Sequence, residues 1–368
     1  MWKRAVPCSC RPPSVVVGCA PARTRECTRV TDPLPLPIGD NTLYALPLAE
    51  GGTILIDAGP DIPDFEGAPA AEGATRGGSW EFLVAMLAAG GVATSDVRAV
   101  LVTHHHLDHA GLAARWAAGG ARILAGAADV PALVGGQAWY DARRSARIDA
   151  LIEHGVPPER VEQLSSPARR RPPEYRWEPC PLDAIDVVED GEEFALAGGA
   201  SLRVLHAPGH TPGNLVAFVE ATGDLYSGDT LLPGTVPTPG VHFADAEDGG
   251  AGARLPSLPD FVASVARLRA LGVRRVLPGH GAPVDGEEAE RLFVRFERHH
   301  ERRPALVRAL LEEQPDTAFG LVGRLFPHLP EPRLPQAMTE LIGQLDVLVA
   351  RGEAVAERRD GLLVHRIA

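Results

Sequence analysis

The fold of this chain is decided by the stretch VRAVLVTHHHLDH, residues 97–109. Its first six residues are mostly apolar and of strand length, which predicts a strand buried on both faces of a sheet. Imidazole nitrogens and carboxylate oxygens are ligands that zinc prefers, and no packing requirement explains so many of them at the end of a strand. The stretch therefore predicts a metal site, with these candidate ligands: His104, His106, Asp108 and His109.

The spacing of these residues predicts two adjacent metal positions rather than one. In an extended chain, side chains alternate between the two sides, so His104 and His106 point the same way and His105 points away. Asp108 and His109 are expected in the turn that follows, where they can face a second position.

Three further candidate ligands lie in glycine-containing segments, each after a predicted strand. They are His210 in HAPGHTPGN (206–214), Asp229 in SGDT (227–230) and His280 in PGHG (278–281). Taken singly, a loop histidine is usually solvated and Gly-Asp-Thr is usually a turn. Taken together, they complete a ligand set, because the glycines permit close approach of the backbone.

At this point the sequence resembles the metallo-β-lactamase superfamily, whose signature is a His-x-His-x-Asp-His loop followed by a His, an Asp and a final His. The resemblance runs from about residue 41 to 283. It implies two metal ions, expected to be zinc, with iron or manganese as alternatives. It also implies that Asp57 orients the histidine loop through hydrogen bonds. The implied ligands are His104, His106 and His210 for the first ion, Asp108, His109 and His280 for the second, and Asp229 as the bridge.

The remaining pattern predicts an α/β fold with an appended region. Strands and helices in two successive halves indicate two sheets with helices outside, and the resemblance implies a four-layer αββα metallo-β-lactamase sandwich. From residue 287 the pattern changes to three helices and a hairpin, the outline of a small C-terminal winged-helix domain. We therefore predict a catalytic domain at 30–286 and a winged-helix domain at 287–368.

Residues 1–29 are expected to be a disordered, Pro/Arg-rich extension, or to lie upstream of the native start. Four of the five cysteines fall within them, so the folded body has at most one. The absence of a disulfide framework favours a reducing cytoplasm. No apolar run of 18 residues occurs, so no transmembrane helix and no membrane partner are expected.

Two segments, PGHTPG (208–213) and LPGHG (277–281), look like those of the glyoxalase II-like and lactamase-β-2-like branches. The C-terminal region looks like the winged helix of the latter branch, with the matching marks Arg298, His300, Arg302 and LFP (325–327). The resemblance implies a hydrolase in which a metal-bridging hydroxide attacks a small ester, thioester or lactone. Asp108 would orient the nucleophile and carry a proton to the leaving group.

The resemblance leaves two other functions open. One is a phosphodiesterase or ribonuclease, because relatives of the winged-helix branch cleave RNA. The other is an iron-dependent sulfur dioxygenase, which uses a similar ligand set. The net charge of −12 counts against a nucleic-acid partner. Residues 297–368 hold ten arginines against eleven acidic residues, so no basic face is expected there. We interpret that domain as a scaffold, a lid or a homodimer contact.

Substrate choice is expected to reside in two segments that match nothing in the resemblance. One is an irregular insertion at 154–184, and the other is a long Gly/Pro-rich loop at 231–256. The loop contains His242, which is interpreted as a solvated residue with a weaker claim to touch a substrate.

Overall fold

The computed structural model describes residues 32–69, 77–165, 175–246 and 250–368, and the predicted extension at 1–29 lies outside these ranges. The strands are β1 Leu34–Ile38, β2 Asn41–Pro47, β3 Thr53–Ile56, β4 Val97–Leu101, β5 Arg122–Ala125, β6 Ile185–Val187, β7 Glu193–Ala195, β8 Ser201–His206, β9 Leu215–Val219, β10 Asp224–Gly228, β11 His242–Asp245, β12 Ala251–Leu255, β13 Arg275–Pro278, β14 Val284–Asp285, β15 Ala354–Arg359 and β16 Leu362–Ile367. The α-helices are α1 Ser79–Ala89, α2 Leu107–Ala110, α3 Ala113–Ala118, α4 Val130–Ala142, α5 Arg144–Glu153, α6 Pro158–Ser165, α7 Leu258–Arg269, α8 Gly286–Glu313, α9 Ala318–Leu325 and α10 Leu334–Ala350.

Two six-stranded sheets form the centre of the molecule. The first has the order β1-β2-β3-β4-β5-β6 and the second β14-β13-β10-β9-β8-β7. Buried side chains from both sheets, including Tyr44, Ile54 and Tyr226, make the layer between them. Such a layer is the expected result when two sheets each bury one apolar face.

Helices cover the outer face of each sheet. Leu83 of α1 and Trp116 of α3 pack on the first sheet. Phe261 of α7 and Phe293 of α8 pack on the second. The predicted α/β architecture with four αββα layers is therefore confirmed.

The strand that opens the histidine stretch lies inside the first sheet. β4 pairs in parallel with β3 on one side and β5 on the other, and four of its five residues are buried. The carboxyl ends of these three parallel strands lie at one edge of the sheet. That edge receives Asp57 after β3, the histidine stretch after β4 and Asp129 shortly after β5.

Two local expectations were wrong. Asp108 and His109 lie on the one-turn helix α2 rather than in a turn. The segment 231–256 is not a continuous loop, because β11 and β12 pair as an antiparallel hairpin. Its glycine and proline content conceals two short strands that, among the described strands, pair only with each other.

The C-terminal region has the helices and hairpin expected of it. α8, α9 and α10 are followed by β15 and β16, which pair in antiparallel register. Asp346 of α10 accepts two hydrogen bonds from Arg254, at 2.6 and 2.8 Å, which tie the region to the β11–β12 hairpin. The winged-helix interpretation stays a prediction. No helix of the described ranges combines the length and apolarity that a membrane crossing requires.

A buried histidine pair stands where α5 ends against the C-terminal hairpin. The rings of His154 and His365 stack 6.1 Å apart with 7° between their planes. Burial, with the nearby Arg254 guanidinium, lowers the pKa of His154 to about 3 and of His365 to about 4. Both rings are therefore neutral in the folded protein at neutral pH.

This pair makes stability fall with acidity. A histidine whose pKa is lowered by folding stays neutral in the native state while the unfolded chain takes up its proton below pH ~6.5. The contribution of such a histidine to the free energy of unfolding is complete above that pH, and it is lost as the pH decreases towards the pKa of the folded state. From pH ~7.5 to ~5.0 we expect His154 alone to cost about 2 kcal/mol of unfolding free energy.

We expect His154→Phe to lose this part of the pH dependence. Neither ring nitrogen of His154 has a hydrogen-bond partner among the described residues, so phenylalanine leaves no partner unsatisfied. Urea unfolding at the same two pH values measures the difference, with the exposed His328→Asn as the control. An unchanged difference in His154→Phe would contradict the expectation.

Candidate metal centre

The seven side chains proposed as ligands come together at one place. Their donor atoms form two groups, and within each group the atoms lie within 4.8 Å of one another. The first group is His104, His106, His210 and Asp229. The second group is Asp108, His109 and His280.

In the first group the ring nitrogens face a common point. Nδ1 of His106 lies 3.1 Å from Nε2 of His104 and 3.1 Å from Nε2 of His210. At most one proton can occupy the space between two facing ring nitrogens. Hydrogen bonding within the protein therefore cannot satisfy all three nitrogens, whereas one cation could.

The second group has the same character. Nε2 of His109 lies 3.3 Å from Nε2 of His280, which in turn lies 3.2 Å from Oδ2 of Asp108. The lone pairs of two imidazoles and one carboxylate thus meet, as in a three-ligand divalent site.

Asp229 joins the two groups, with one oxygen toward each. Oδ2 lies 3.5 Å from Nε2 of His210, and Oδ1 lies 3.4 Å from Nε2 of His109. Oδ1 is buried and has no hydrogen-bond partner among the described residues. A buried carboxylate oxygen in that state is expensive unless a cation approaches it, so this donor set fits two neighbouring divalent ions.

In four of these histidines Nε2 faces the ligand group, and Nδ1, on the other side of the ring, lies near an oxygen atom of the protein. Nδ1 of His210 lies 3.1 Å from the Thr238 carbonyl, and Nδ1 of His280 lies 2.9 Å from that of Asp40. Such contacts fix the orientation of the ring and keep its proton on Nδ1, which leaves Nε2 free to bind a metal. Thr103 Oγ1 and Asp57 Oδ2 take the same position behind His104 and His109.

Asp57 occupies the position required of a residue that orients the histidine loop. Its Oδ1 accepts the Thr103 N–H at 2.8 Å, and its Oδ2 lies 2.8 Å from Nδ1 of His109. Its backbone has a φ of 68°, a left-handed conformation that is uncommon outside glycine. The surrounding structure therefore holds a strained residue directly behind the ligand loop.

Asp129 has a similar supporting position that the sequence reasoning missed. This fully buried carboxylate accepts the backbone N–H of His105, the Thr211 hydroxyl and the Gly213 N–H at 2.7–3.0 Å. It also lies 3.0 Å from Nδ1 of His105. The available signal was its place just after β5, at the same sheet edge as the histidine stretch.

Asn41 is a second residue that was missed. It is 5% exposed, and its Nδ2 lies 3.3 Å from Nε2 of His109 and 3.4 Å from Oδ2 of Asp108. It begins β2 far from the other ligands in the sequence, and no local motif marks it.

The charges of the site favour ligation. Burial holds the pKa of His104 and His106 well below the ordinary value, so both rings are neutral, as metal binding requires. Burial opposes ionisation of Asp108, but the neighbouring His109 and His280 outweigh it and hold the Asp108 pKa well below its usual range. His210 is neutral for the same reason as His104 and His106. Burial opposes protonation of His109 and His280, but the neighbouring carboxylates outweigh it and raise the pKa of both rings. The first group therefore presents neutral imidazoles to a cation, whereas His109 and His280 would release a proton when one binds.

A cavity of about 530 Å³ opens beside the two groups, and His106 and Asp108 form part of its wall. His242 lines it too, so the interpretation as a solvated loop residue was wrong. His242 is 9% exposed, and its Nε2 lies 2.8 Å from the backbone oxygen of His210. The closed β11–β12 hairpin, which the sequence did not reveal, is what buries it.

A basic face on α8 was not expected either. Five arginines of this helix line a hollow separate from the cavity at the metal centre, and the first four of them recur at helical spacing: Arg291, Arg295, Arg298, Arg302 and Arg303. The nearly equal number of acidic residues in this region concealed it, because a count of charges does not show how they are distributed over the faces of a helix.

The sequence and fold of this chain are similar to those of known proteins. Residues 39–280 match the family described as the Metallo-beta-lactamase superfamily. The Probable metallo-hydrolase YqjP of Bacillus subtilis is 31% identical over 345 residues, which span 93% of this chain and 98% of that protein. The crystal structure of the metallo-beta-lactamase family protein TTHA1429 from Thermus thermophilus aligns with a TM-score of 0.64 at 28% identity, covering 92% of this chain and 98% of that one.

A more distant relative has a more specific name. The Atrochrysone carboxyl ACP thioesterase of Aspergillus fumigatus is 22% identical over 205 residues, which span 53% of this chain and 59% of that protein.

Proposed function

Because this chain belongs to the metallo-beta-lactamase superfamily, we propose that it is a metal-dependent hydrolase of small thioesters, with esters and lactones as related substrates. The observation that carries this proposal is the double ligand group beside an open cavity. Asp229 faces both groups, and a substrate in the cavity would contact His106 and Asp108.

The proposed cofactors are two zinc ions. His104, His106 and His210 would hold the first, Asp108, His109 and His280 the second, and Asp229 would contact both. Ions bound there would polarise the carbonyl of the substrate and lower the pKa of water towards neutrality.

Asp108 is proposed to handle the proton. Its side chain is 29% exposed, more than that of Asp229, the other carboxylate in the two groups. Its lowered pKa keeps it ionised at neutral pH, so Oδ2 can accept a proton from a water molecule and pass it to the leaving group.

No side-chain nucleophile competes with this mechanism among the described residues that line the cavity, since they include neither serine nor cysteine. The described Cys180 is buried, and burial raises the pKa of its thiol to about 11. Water is therefore the proposed nucleophile.

The preference for thioesters rests on the relative named as a thioesterase and on the glycine-rich ligand segments at 208–213 and 277–281. Those segments support a place near the glyoxalase II-like and lactamase-β-2-like branches. The three helices and hairpin of the C-terminal region support the winged-helix interpretation, with a domain boundary near residue 286.

A phosphodiesterase is the second candidate, and the arginine face of α8 favours it. Arg298 and Arg302 are exposed on that face. Guanidinium groups in that arrangement could hold the phosphates of a nucleic-acid strand.

The deciding experiment joins elemental analysis of the purified protein to an activity screen. The substrates are a thioester, a lactone and bis(4-nitrophenyl) phosphate. We expect about two zinc ions per chain and turnover of the thioester, which a chelator abolishes and added zinc restores.

The other outcomes are equally informative. Turnover of the phosphodiester alone would replace the thioesterase with the phosphodiesterase. Iron together with oxygen consumption would indicate the sulfur dioxygenase chemistry and overturn the hydrolase proposal.

A further inference from the structure

The cavity beside the metal centre has walls of an unusual composition. Among the described residues, five aromatic side chains line its volume of about 530 Å³, within the ~300–1,000 Å³ typical of small-molecule sites. They come from three separate segments of the chain: Trp139 and Tyr140 of α4, Tyr175 and Trp177, and Phe243 of β11.

Trp139 is the most constrained of these residues. Its ring centre lies 5.2 Å from that of His105 and 6.4 Å from that of Trp177, with interplanar angles of 70° and 75°. The guanidinium of Arg143 lies 4.2 Å from the same ring. Edge-to-face and cation–π contacts thus fix the indole from three directions.

Arg143 anchors this arrangement. Its side chain is 2% exposed and forms an ion pair with Asp245 at the end of β11. The pair joins α4 to the β11–β12 hairpin across the cavity, so the aromatic walls are held apart at a defined width.

The aromatic walls of the cavity lie next to the candidate metal ligands. The His105 ring contacts Trp139 on one side and the candidate ligand His106 on the other, with ring centres 5.2 and 5.5 Å apart. A carbonyl carbon beside His106 and Asp108 would therefore carry its acyl group directly between the aromatic walls.

We propose that this cavity binds a flat aromatic acyl group between the aromatic side chains of its walls. This inference rests on the proposed function and specifies its substrate class as aromatic acyl thioesters. Flat rings gain stacking contacts on aromatic walls that saturated rings of similar size do not.

A binding experiment tests the pocket independently of catalysis. Calorimetry on the metal-loaded protein compares 2-naphthol with decahydro-2-naphthol, its saturated counterpart. We expect 2-naphthol to bind at least about tenfold more tightly. Trp139→Phe removes one ring of the indole from the aromatic wall, so it should weaken 2-naphthol binding about two- to tenfold.

The control is Trp80→Phe, the same change at a residue that packs against Trp116 outside the cavity. It should leave 2-naphthol binding unchanged. Equal affinity for the two bicyclic alcohols, or an equal effect of the two substitutions, would overturn the proposal.

A kinetic experiment separates this inference from the proposed function. The substrates are the 2-naphthoyl and acetyl thioesters of N-acetylcysteamine. A higher kcat/KM for the 2-naphthoyl thioester supports both proposals. Equal rates with no preference for 2-naphthol leave the hydrolase standing and overturn the aromatic pocket. Tight 2-naphthol binding with turnover of neither thioester supports the pocket and counts against the thioesterase.

Discussion

Asp108→Ala is expected to fold normally and to lose about 10²- to 10⁴-fold in kcat/KM for the thioester, the range that a positioned general acid or base contributes. The carboxylate touches the cavity and is partly exposed. Its hydrogen bond from Asn41 is long, at 3.4 Å, so its removal costs the fold little. The measurement is kcat/KM together with circular dichroism and metal content.

His106→Ala tests metal binding in the first group and leaves the proposed proton carrier, Asp108, in place. It removes a donor atom from the first group only, so we expect it to lower zinc content by about one ion per chain as well as activity. The matched control is the exposed His328→Ala. Full activity with normal metal content in either Asp108→Ala or His106→Ala would refute the mechanism.

Asp129→Ala is expected to destabilise the protein by about 3–5 kcal/mol, the usual cost of removing one partner of a buried charged network. The substitution leaves buried N–H groups of His105 and Gly213 and the hydroxyl of Thr211 without their acceptor. Burial opposes ionisation of Asp129, but His105, Thr211 and Gly213 outweigh it and lower its pKa to about 2. The carboxylate is therefore a fixed charge at every pH where the enzyme would work.

The loss should extend to metal binding, because Asp129 joins the histidine stretch to the loop that carries His210. Urea unfolding and zinc titration measure the two effects. Asp186→Ala removes a carboxylate that pairs with Arg122 on the surface and should cost less than about 1 kcal/mol. If Asp129→Ala lowered the free energy of unfolding by less than about 1 kcal/mol as well, the role assigned to this residue would be refuted.

Much of the fold could be predicted because it depends on local patterns. The apolar run at 97–102 corresponds to β4, which ends one residue earlier, at Leu101. α10, Leu334–Ala350, is one of the three helices predicted after residue 287, since its apolar residues recur at helical spacing. The β11–β12 hairpin escaped prediction because its strands are short and rich in residues that also occur in loops.

The candidate ligands could be named because each follows a strand in a short, recognisable segment. The residues behind them could not be found in this way. Asn41 and Asp57 precede His109 by more than 50 residues, and Asp129 reaches Thr211 and Gly213 across more than 80. No spacing rule links residues at such separations. Asp57 and Asp129 lie near the histidine stretch because the parallel strands β3, β4 and β5 end at one edge of the sheet, and Asn41 does so because β2 is antiparallel to β3 and begins at that edge.

Segments 154–184 and 231–256 were expected to contain the substrate determinants, and the cavity wall does include Tyr175, Trp177 and Phe243. The expectation missed Trp139 of α4 and Arg143, the residue that follows this helix, which complete that wall. The sequence alone determined which residues supply the donor atoms, since each of them follows a strand in a short, recognisable segment. Only the tertiary structure decided the shape and chemistry of the cavity, because it is built from segments that share no local pattern and meet only when the hairpin and α4 close over the site.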